Sequence, residues 1–149
     1  MAKIIIGDIF QSDNHIAIAH QCNCTTFGAR GIASDIFKKY PYANVYGKNI
    51  RKCGTIQISG DIERGERTVI AMFAQYYPNK PSENDTCEQR KNWFVECLEN
   101  IVEGYDGDIA FPFGIGCGLA AGNWRDYRTM IDIFSAAYHG NVFIYKLEK

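Results

Sequence analysis

Apolar positions along this chain follow two periods, one of strands and one of helices. Lys3 to Ile6 is a short apolar run closed by Gly7-Asp8, and Ile16 to Gln21 is a second after a polar stretch; both predict buried strands. Asn23 to Gly31 is polar and glycine-bearing, so it predicts a loop. Ile32, Ile36, Phe37 and Tyr40 then share one face of a short helix that Pro41 stops. Gly54 to Ser59 alternates Ile56 and Ile58 with polar residues, as a half-buried strand does. After a turn at Arg64-Gly65-Glu66, Thr68 to Ala74 is almost continuously apolar, which predicts a strand covered on both faces.

Pro78 to Asp85 is a loop, and Thr86 to Val102 places Phe94, Cys97, Leu98 and Ile101 at helical spacing. Asp108 to Pro112 is a strand, followed by a glycine loop from Phe113 to Gly122. Trp124, Tyr127, Ile131, Phe134 and Tyr138 form one helical stripe that Gly140 ends, and Asn141 to Leu147 closes the series as a strand. The order β-β-α-β-β-α-β-α-β predicts a single α/β domain over 1–149, a three-layer α/β/α sandwich with a mixed central sheet. In such sheets ligands sit beyond the carboxyl ends of the strands, and both glycine loops fall at that edge.

Composition narrows the function classes. Sixteen basic residues against 17 acidic ones give a net charge of −1, which argues against a dedicated nucleic-acid binder but leaves a small anionic ligand open. No apolar run reaches the roughly 18 residues of a membrane helix, and Met1 to Ile6 lacks a signal-peptide core. A cytoplasmic, monomeric protein without membrane contact is the expectation. Cys22, Cys24, Cys53, Cys87, Cys97 and Cys117 contain no paired zinc-type spacing, so free thiols and no metal or cofactor are expected.

Three segments carry candidate chemistry. Phe113-Gly114-Ile115-Gly116-Cys117-Gly118-Leu119 has three alternating glycines, whose N–H groups suit one anion; the same pattern also suits a plain tight turn. It is neither a Walker loop nor a dinucleotide fingerprint. Ala19-His20-Gln21-Cys22-Asn23-Cys24, followed by Gly28-Ala29-Arg30-Gly31-Ile32-Ala33, brings a titratable His20 and an amide, Asn23, to a strand end. His20 is either an acid, base or nucleophile or a satisfied structural histidine. Asn23 caps its loop or meets a ligand, and Arg30 clamps a phosphate or is solvated. Gly7-Asp8-Ile9 offers a carboxylate to a base amino group or simply turns the chain.

In this order, the three segments resemble the macrodomain family, which binds ADP-ribose, over essentially the whole chain. The likeness is strongest to its small stand-alone branch, which includes ADP-ribose-1″-phosphate phosphatases and terminal ADP-ribose protein glycohydrolases. The resemblance implies that Asp8 accepts from the adenine amino group beside the Ile9 backbone, and that Asn23 contacts the distal ribose. It implies that Gly28, Gly31 and Ile32 line a first phosphate loop, with Ala33 opening the helix behind it. Ile115, Gly116, Cys117, Gly118 and Leu119 would wrap the pyrophosphate and distal ribose, and Tyr145 would pack near the adenine. His20 matches the phosphatase branch's catalytic histidine, so hydrolysis of ADP-ribose-1″-phosphate by His20 and Asn23 is the implied activity. Removal of ADP-ribose from ADP-ribosylated macromolecules, non-catalytic reading of ADP-ribose, and an unrelated nucleotide-binding α/β protein are the rival readings. Ala120 stands where the glycohydrolase branch has Asp, Ala74-Gln75-Tyr76 offers no equivalent of its lysine, and Ala29-Arg30 interrupts the usual glycine run.

Overall fold

The computed structural model describes residues 1–47 and 50–148. Among them the strands are β1 (Lys3–Ile6), β2 (Ala17–Asn23), β3 (Ile56–Ser59), β4 (Val69–Gln75), β5 (Ile109–Pro112) and β6 (Val142–Lys146). The helices are α1 (Gly31–Lys39), α2 (Cys87–Gly104) and α3 (Trp124–Ala137). Each falls within a residue or two of its apolar run. The differences lie at the ends: β2 extends through Asn23 and α1 begins at Gly31, both of which the sequence assigns to the loop between them. Three single 3₁₀ turns, at Ile9–Gln11, Pro41–Ala43 and Ile62–Arg64, also form.

The sheet order is β1-β6-β5-β2-β4-β3, parallel throughout except for β3, which pairs antiparallel with β4. The sheet is therefore mixed. Strand alternation divides its side chains between two cores. Ala17, Ala19, Ile70, Met72, Ile109, Phe111, Val142 and Ile144 pack beneath Phe94, Leu98 and Ile101 of α2 and Ile131 and Phe134 of α3. Ile18, Cys22, Val69, Ala71, Phe73 and Ala110 pack on the other face, against Ile36 and Phe37 of α1 and Ile9. These are the three layers expected from the sequence. Thr86 and Gln89 close a reciprocal capping box at the start of α2, fixing where that helix begins.

The five parallel strands point their carboxyl ends to one edge. There the chain leaves β2 into the 23–31 segment and β5 into the glycine segment, and β2 and β5 are neighbours in the sheet. No helix is long and apolar enough to cross a membrane among the described residues.

Candidate functional site

A cleft of about 610 Å³ opens between those two segments at the carboxyl edge of the sheet. One wall is Asn23, Thr26 and Gly28 to Ala33; the other is Pro112 to Ala120; Gln21, Gln75, Tyr46, Pro78 and Asn79 complete it.

The first wall is shaped by Asn23. Its Oδ1 accepts from Thr25 N at 3.1 Å and Thr26 N at 2.9 Å, with the Thr26 hydroxyl at 3.0 Å. Its own N–H and its Nδ2 donate to Tyr46 Oη at 3.0 and 3.2 Å. The Asn23 amide is thus largely committed to folding its own loop, the Asx arrangement that lets the chain turn straight off a strand. Arg51 braces the same wall from behind: its Nη2 donates to Asn23 O at 3.2 Å and Thr26 O at 2.8 Å, and its guanidinium lies over the Tyr46 ring at 4.8 Å. The wall ends at α1, whose first residue, Gly31, has φ +59, a backbone that glycine adopts without cost. Arg30 precedes it and makes no side-chain cap, and no acidic residue occupies the first turn. The opening N–H groups of α1 are therefore uncapped where Gly31, Ile32 and Ala33 line the cleft.

The second wall alternates. Ile115 N bonds Pro112 O at 3.1 Å and Cys117 N bonds Gly114 O at 2.9 Å, whereas the N–H groups of Gly116, Gly118 and Leu119 have no partner among the described residues. Gly116, at φ +78, sits so close to Tyr127 that a Cβ would lie 2.6 Å from its ring. The loop is thereby pressed onto α3 while its free amides line the cleft. Its far end is latched by Arg90, which is fully buried and donates to Asp85 Oδ1 at 2.9 Å and Oδ2 at 2.6 Å. The same guanidinium donates to Asn79 O at 2.8 Å, Ala120 O at 3.2 Å and Tyr77 O at 3.1 Å. Asp85 in turn accepts from Tyr76 N and Tyr77 N at 3.0 and 2.8 Å. Burial would raise the Asp85 carboxyl, but Arg90 and the two N–H groups outweigh it and hold the group below its ordinary value.

On the cleft floor Gln21 Nε2 donates to Gln75 Oε1 at 2.7 Å, and Gln75 Nε2 donates to Tyr77 O at 3.0 Å. Among the described lining residues Arg30 is the one with a charged side chain. Cys117 lines the cleft with its thiol pushed by burial up to about 11, and burial likewise raises the Tyr46 hydroxyl. Both are protonated at neutral pH. No group of three or more His, Cys, Asp or Glu arranged to hold a metal ion occurs among the described residues.

The structure brings together Asn23, Gly28, Gly31, Ile32, Ala33, Ile115, Gly116, Cys117, Gly118 and Leu119, all of them in the cleft lining. It does not bring His20 there. His20 lies on the opposite face of β2, wholly buried, with its ring edge-on to Phe37 at 5.6 Å and Cys22 Sγ 3.6 Å from Nδ1. Burial lowers its pKa to about 4, so it is neutral at pH 7. This corrects the expectation of a catalytic histidine beside Asn23: residues three apart on a strand face opposite ways.

Asp8, Ile9 and Tyr145 also lie outside the lining. Asp8 Oδ1 caps the 3₁₀ turn through Phe10 N at 2.9 Å, Ile9 is buried in the α1-side core, and the Tyr145 ring packs on that same face. They do adjoin the cleft along the sheet edge. Phe113 N donates to Tyr145 O at 2.8 Å, Gly7 N donates to Lys146 O at 2.8 Å, and Lys146 Nζ lies 4.7 Å over the Phe113 ring.

Sequence reasoning left out Gln21, Thr26, Tyr46, Arg51, Gln75, Asp85 and Arg90. Gln21 was within reach, since it is two residues from Asn23 and shares its face of the strand. Tyr46 and Arg51 come from an irregular stretch with no periodic signal. Arg90 sits in α2 at a position that reads as an ordinary charged residue.

No family model and no curated protein sequence matches this chain. Solved structures do. A protein of unknown function from Bacteroides thetaiotaomicron aligns with TM-score 0.74 and 20% identity over 98% of each chain. The macrodomain of Mycobacterium tuberculosis DarG aligns with TM-score 0.69 and 17% identity, covering 97% of this chain and 98% of that one. Thermosipho africanus DarTG in complex with ADP-ribose aligns with TM-score 0.70 and 18% identity, covering 98% of this chain and 42% of that one. The chain has the macrodomain fold.

Proposed function

We propose that the cleft binds ADP-ribose. The observation that carries the reading is the meeting of two sets of unpaired main-chain donors across one cleft. The free amides of Gly116, Gly118 and Leu119 lie on one wall and the uncapped start of α1 on the other. Such donors suit a pyrophosphate, and Arg30 adds the single charge at the mouth. A similar fold, that of Thermosipho africanus DarTG, is known in complex with ADP-ribose.

In this reading the pyrophosphate bridges the two walls and the distal ribose enters between Asn23, Gln21 and Gln75. The adenine lies past Phe113, along the edge where Asp8 keeps its Oδ2 free of partners among the described residues. Asp8 accepts from the adenine amino group, and the Ile9 and Tyr145 segments back it.

The lining favours binding over acid–base catalysis. Its ionisable side chains among the described residues are Arg30, Tyr46 and Cys117, and the latter two keep their protons at neutral pH. His20, the residue expected to drive hydrolysis of ADP-ribose-1″-phosphate, is neutral and faces away. Phosphorus NMR of ADP-ribose-1″-phosphate mixed with the protein tests both points. Shifted or broadened pyrophosphate lines with a constant inorganic phosphate signal are the expected result. A growing phosphate line makes the protein a phosphatase, and unchanged lines at saturating protein refute the binding reading.

A further inference from the structure

Behind the first wall of the cleft two thiols meet. Cys24 follows Asn23 directly and is wholly buried; Cys53 is half-buried and lies in the segment leading into β3. Their sulfurs are 3.1 Å apart. The backbones around them are already paired. Arg51 N donates to Cys24 O at 3.0 Å, Cys24 N to Tyr76 O at 3.0 Å, and Gly54 N to Phe73 O at 2.8 Å. The same segment carries the Arg51 guanidinium that holds Asn23 O and Thr26 O. The 50–54 stretch therefore acts as a strap across the back of the cleft wall, and the thiol pair sits at its buckle.

We propose that Cys24 and Cys53 form an oxidative modification site, which a peroxide converts to a disulfide that pins this strap to the cleft wall. The partly exposed Cys53 sulfur is the one a small oxidant reaches. Its electron pair attacks hydrogen peroxide; an S–O bond forms, the O–O bond breaks, and hydroxide leaves and takes up the thiol proton as water. The Cys24 sulfur then attacks that sulfenic sulfur; the S–S bond forms, the S–O bond breaks, and a second water leaves with the Cys24 proton. Two thiols lose two electrons and two protons, and one peroxide becomes two waters.

Proximity, rather than thiolate character, gives the pair its selectivity. The neighbouring thiol and partial burial hold Cys53 well above the usual thiol range, so the first step is slow. Once it has occurred, the resolving sulfur is already in place, which no other described cysteine pair offers. Closure needs about 1 Å of further approach to reach S–S bonding distance, within the reach of small side-chain rotations.

The test uses the full chain and does not depend on which ligand the cleft takes. The protein is incubated with hydrogen peroxide at pH 8, free thiols are alkylated, and the peptides are mapped by mass spectrometry. The expected product is a Cys24-to-Cys53 linked peptide, with Cys87 alkylated as the exposed control. The loop so closed spans about 30 residues, and the melting temperature is expected to rise by about 10 °C. Dithiothreitol reverses the rise, and C53S abolishes it. Amide hydrogen exchange at Thr25 and Thr26 slows in the oxidised form. Separate alkylation of both cysteines after peroxide treatment overturns the proposal. A linked peptide with unchanged melting and unchanged exchange at Thr25 and Thr26 overturns the clamp.

Discussion

Replacing Arg90 by Gln removes the latch that joins the 76–85 segment to the end of the glycine loop. The wild-type guanidinium makes two bonds to Asp85 and further bonds to the carbonyls of Tyr77, Asn79, Lys80 and Ala120. Without it the Asp85 carboxylate, which is fully buried, keeps two backbone donors and no counter-charge. Breaking one side of a buried pair in this way costs about 3–5 kcal/mol. A domain of this length has a total stability of roughly 7–20 kcal/mol, so the variant is expected to fold with a melting temperature lower by about 10 °C.

The pH dependence of the same variant carries the sharper test. In the wild type the folded carboxyl of Asp85 lies below its unfolded value, so its contribution is present above about pH 4 and lost as pH falls through the folded value. With Arg90 gone, desolvation acts with less opposition and moves the Asp85 carboxyl upward. The variant should then lose less stability on acidification than the wild type, and the gap between them should narrow below pH 4. Urea unfolding of wild type, R90Q, D85N and D85N/R90Q at pH 7 and pH 3 measures this. The double variant is expected to fall short of the summed single losses by more than about 1 kcal/mol. A loss under about 1 kcal/mol for R90Q, or simple additivity in the double variant, refutes the latch.

Other outcomes follow from the same geometry. His20 has a folded pKa of about 4, below its unfolded value, so stability falls as pH drops from about 6.5 towards 4; urea titrations should show a loss of about 2–3 kcal/mol by pH 4.5 that H20L lacks. H20L should also retain ADP-ribose binding, because the ring lies on the far face of β2. G116A drives a Cβ into the Tyr127 ring at a left-handed backbone position, so calorimetric titration should show ADP-ribose affinity falling at least about tenfold, with wild-type affinity counting against the amide cradle. Cys117 lines the cleft and Cys87 is exposed elsewhere, so ADP-ribose should slow iodoacetamide alkylation of Cys117 and leave Cys87 unchanged.

The strands and helices were legible because each is written in local apolar periodicity. Pro41 and Gly140 marked helix ends that the structure keeps, and Thr86, where the sequence begins the helical stretch, is the N-cap of α2. Much of the cleft was legible too, since its walls are glycine-bearing segments that follow strands. His20 was misplaced for a reason also present in the sequence. The two-residue period of β2 puts Gln21 on the cleft face and sends His20 towards Phe37. Tyr46, Arg51 and Arg90 were hidden for a different reason. Each acts on main-chain groups distant in sequence, and no local pattern announces a side chain whose partners are N–H or C=O groups 10 to 30 residues away.

The alternation of bonded and unbonded amides from Ile115 to Leu119 bears on how such a site endures sequence change. In the proposed reading, recognition there falls to main-chain N–H groups, which every residue but proline possesses. What must persist is a backbone path: glycine where φ is positive or Tyr127 crowds the chain, a buried Ile115 as anchor, and a latch at Ala120. Most side chains along the walls are then free to drift, altering the mouth and rim while the proposed phosphate cradle keeps its shape. In a cleft of this kind, ligand preference can diversify at Arg30, Leu119 or Phe113 without the cradle being rebuilt.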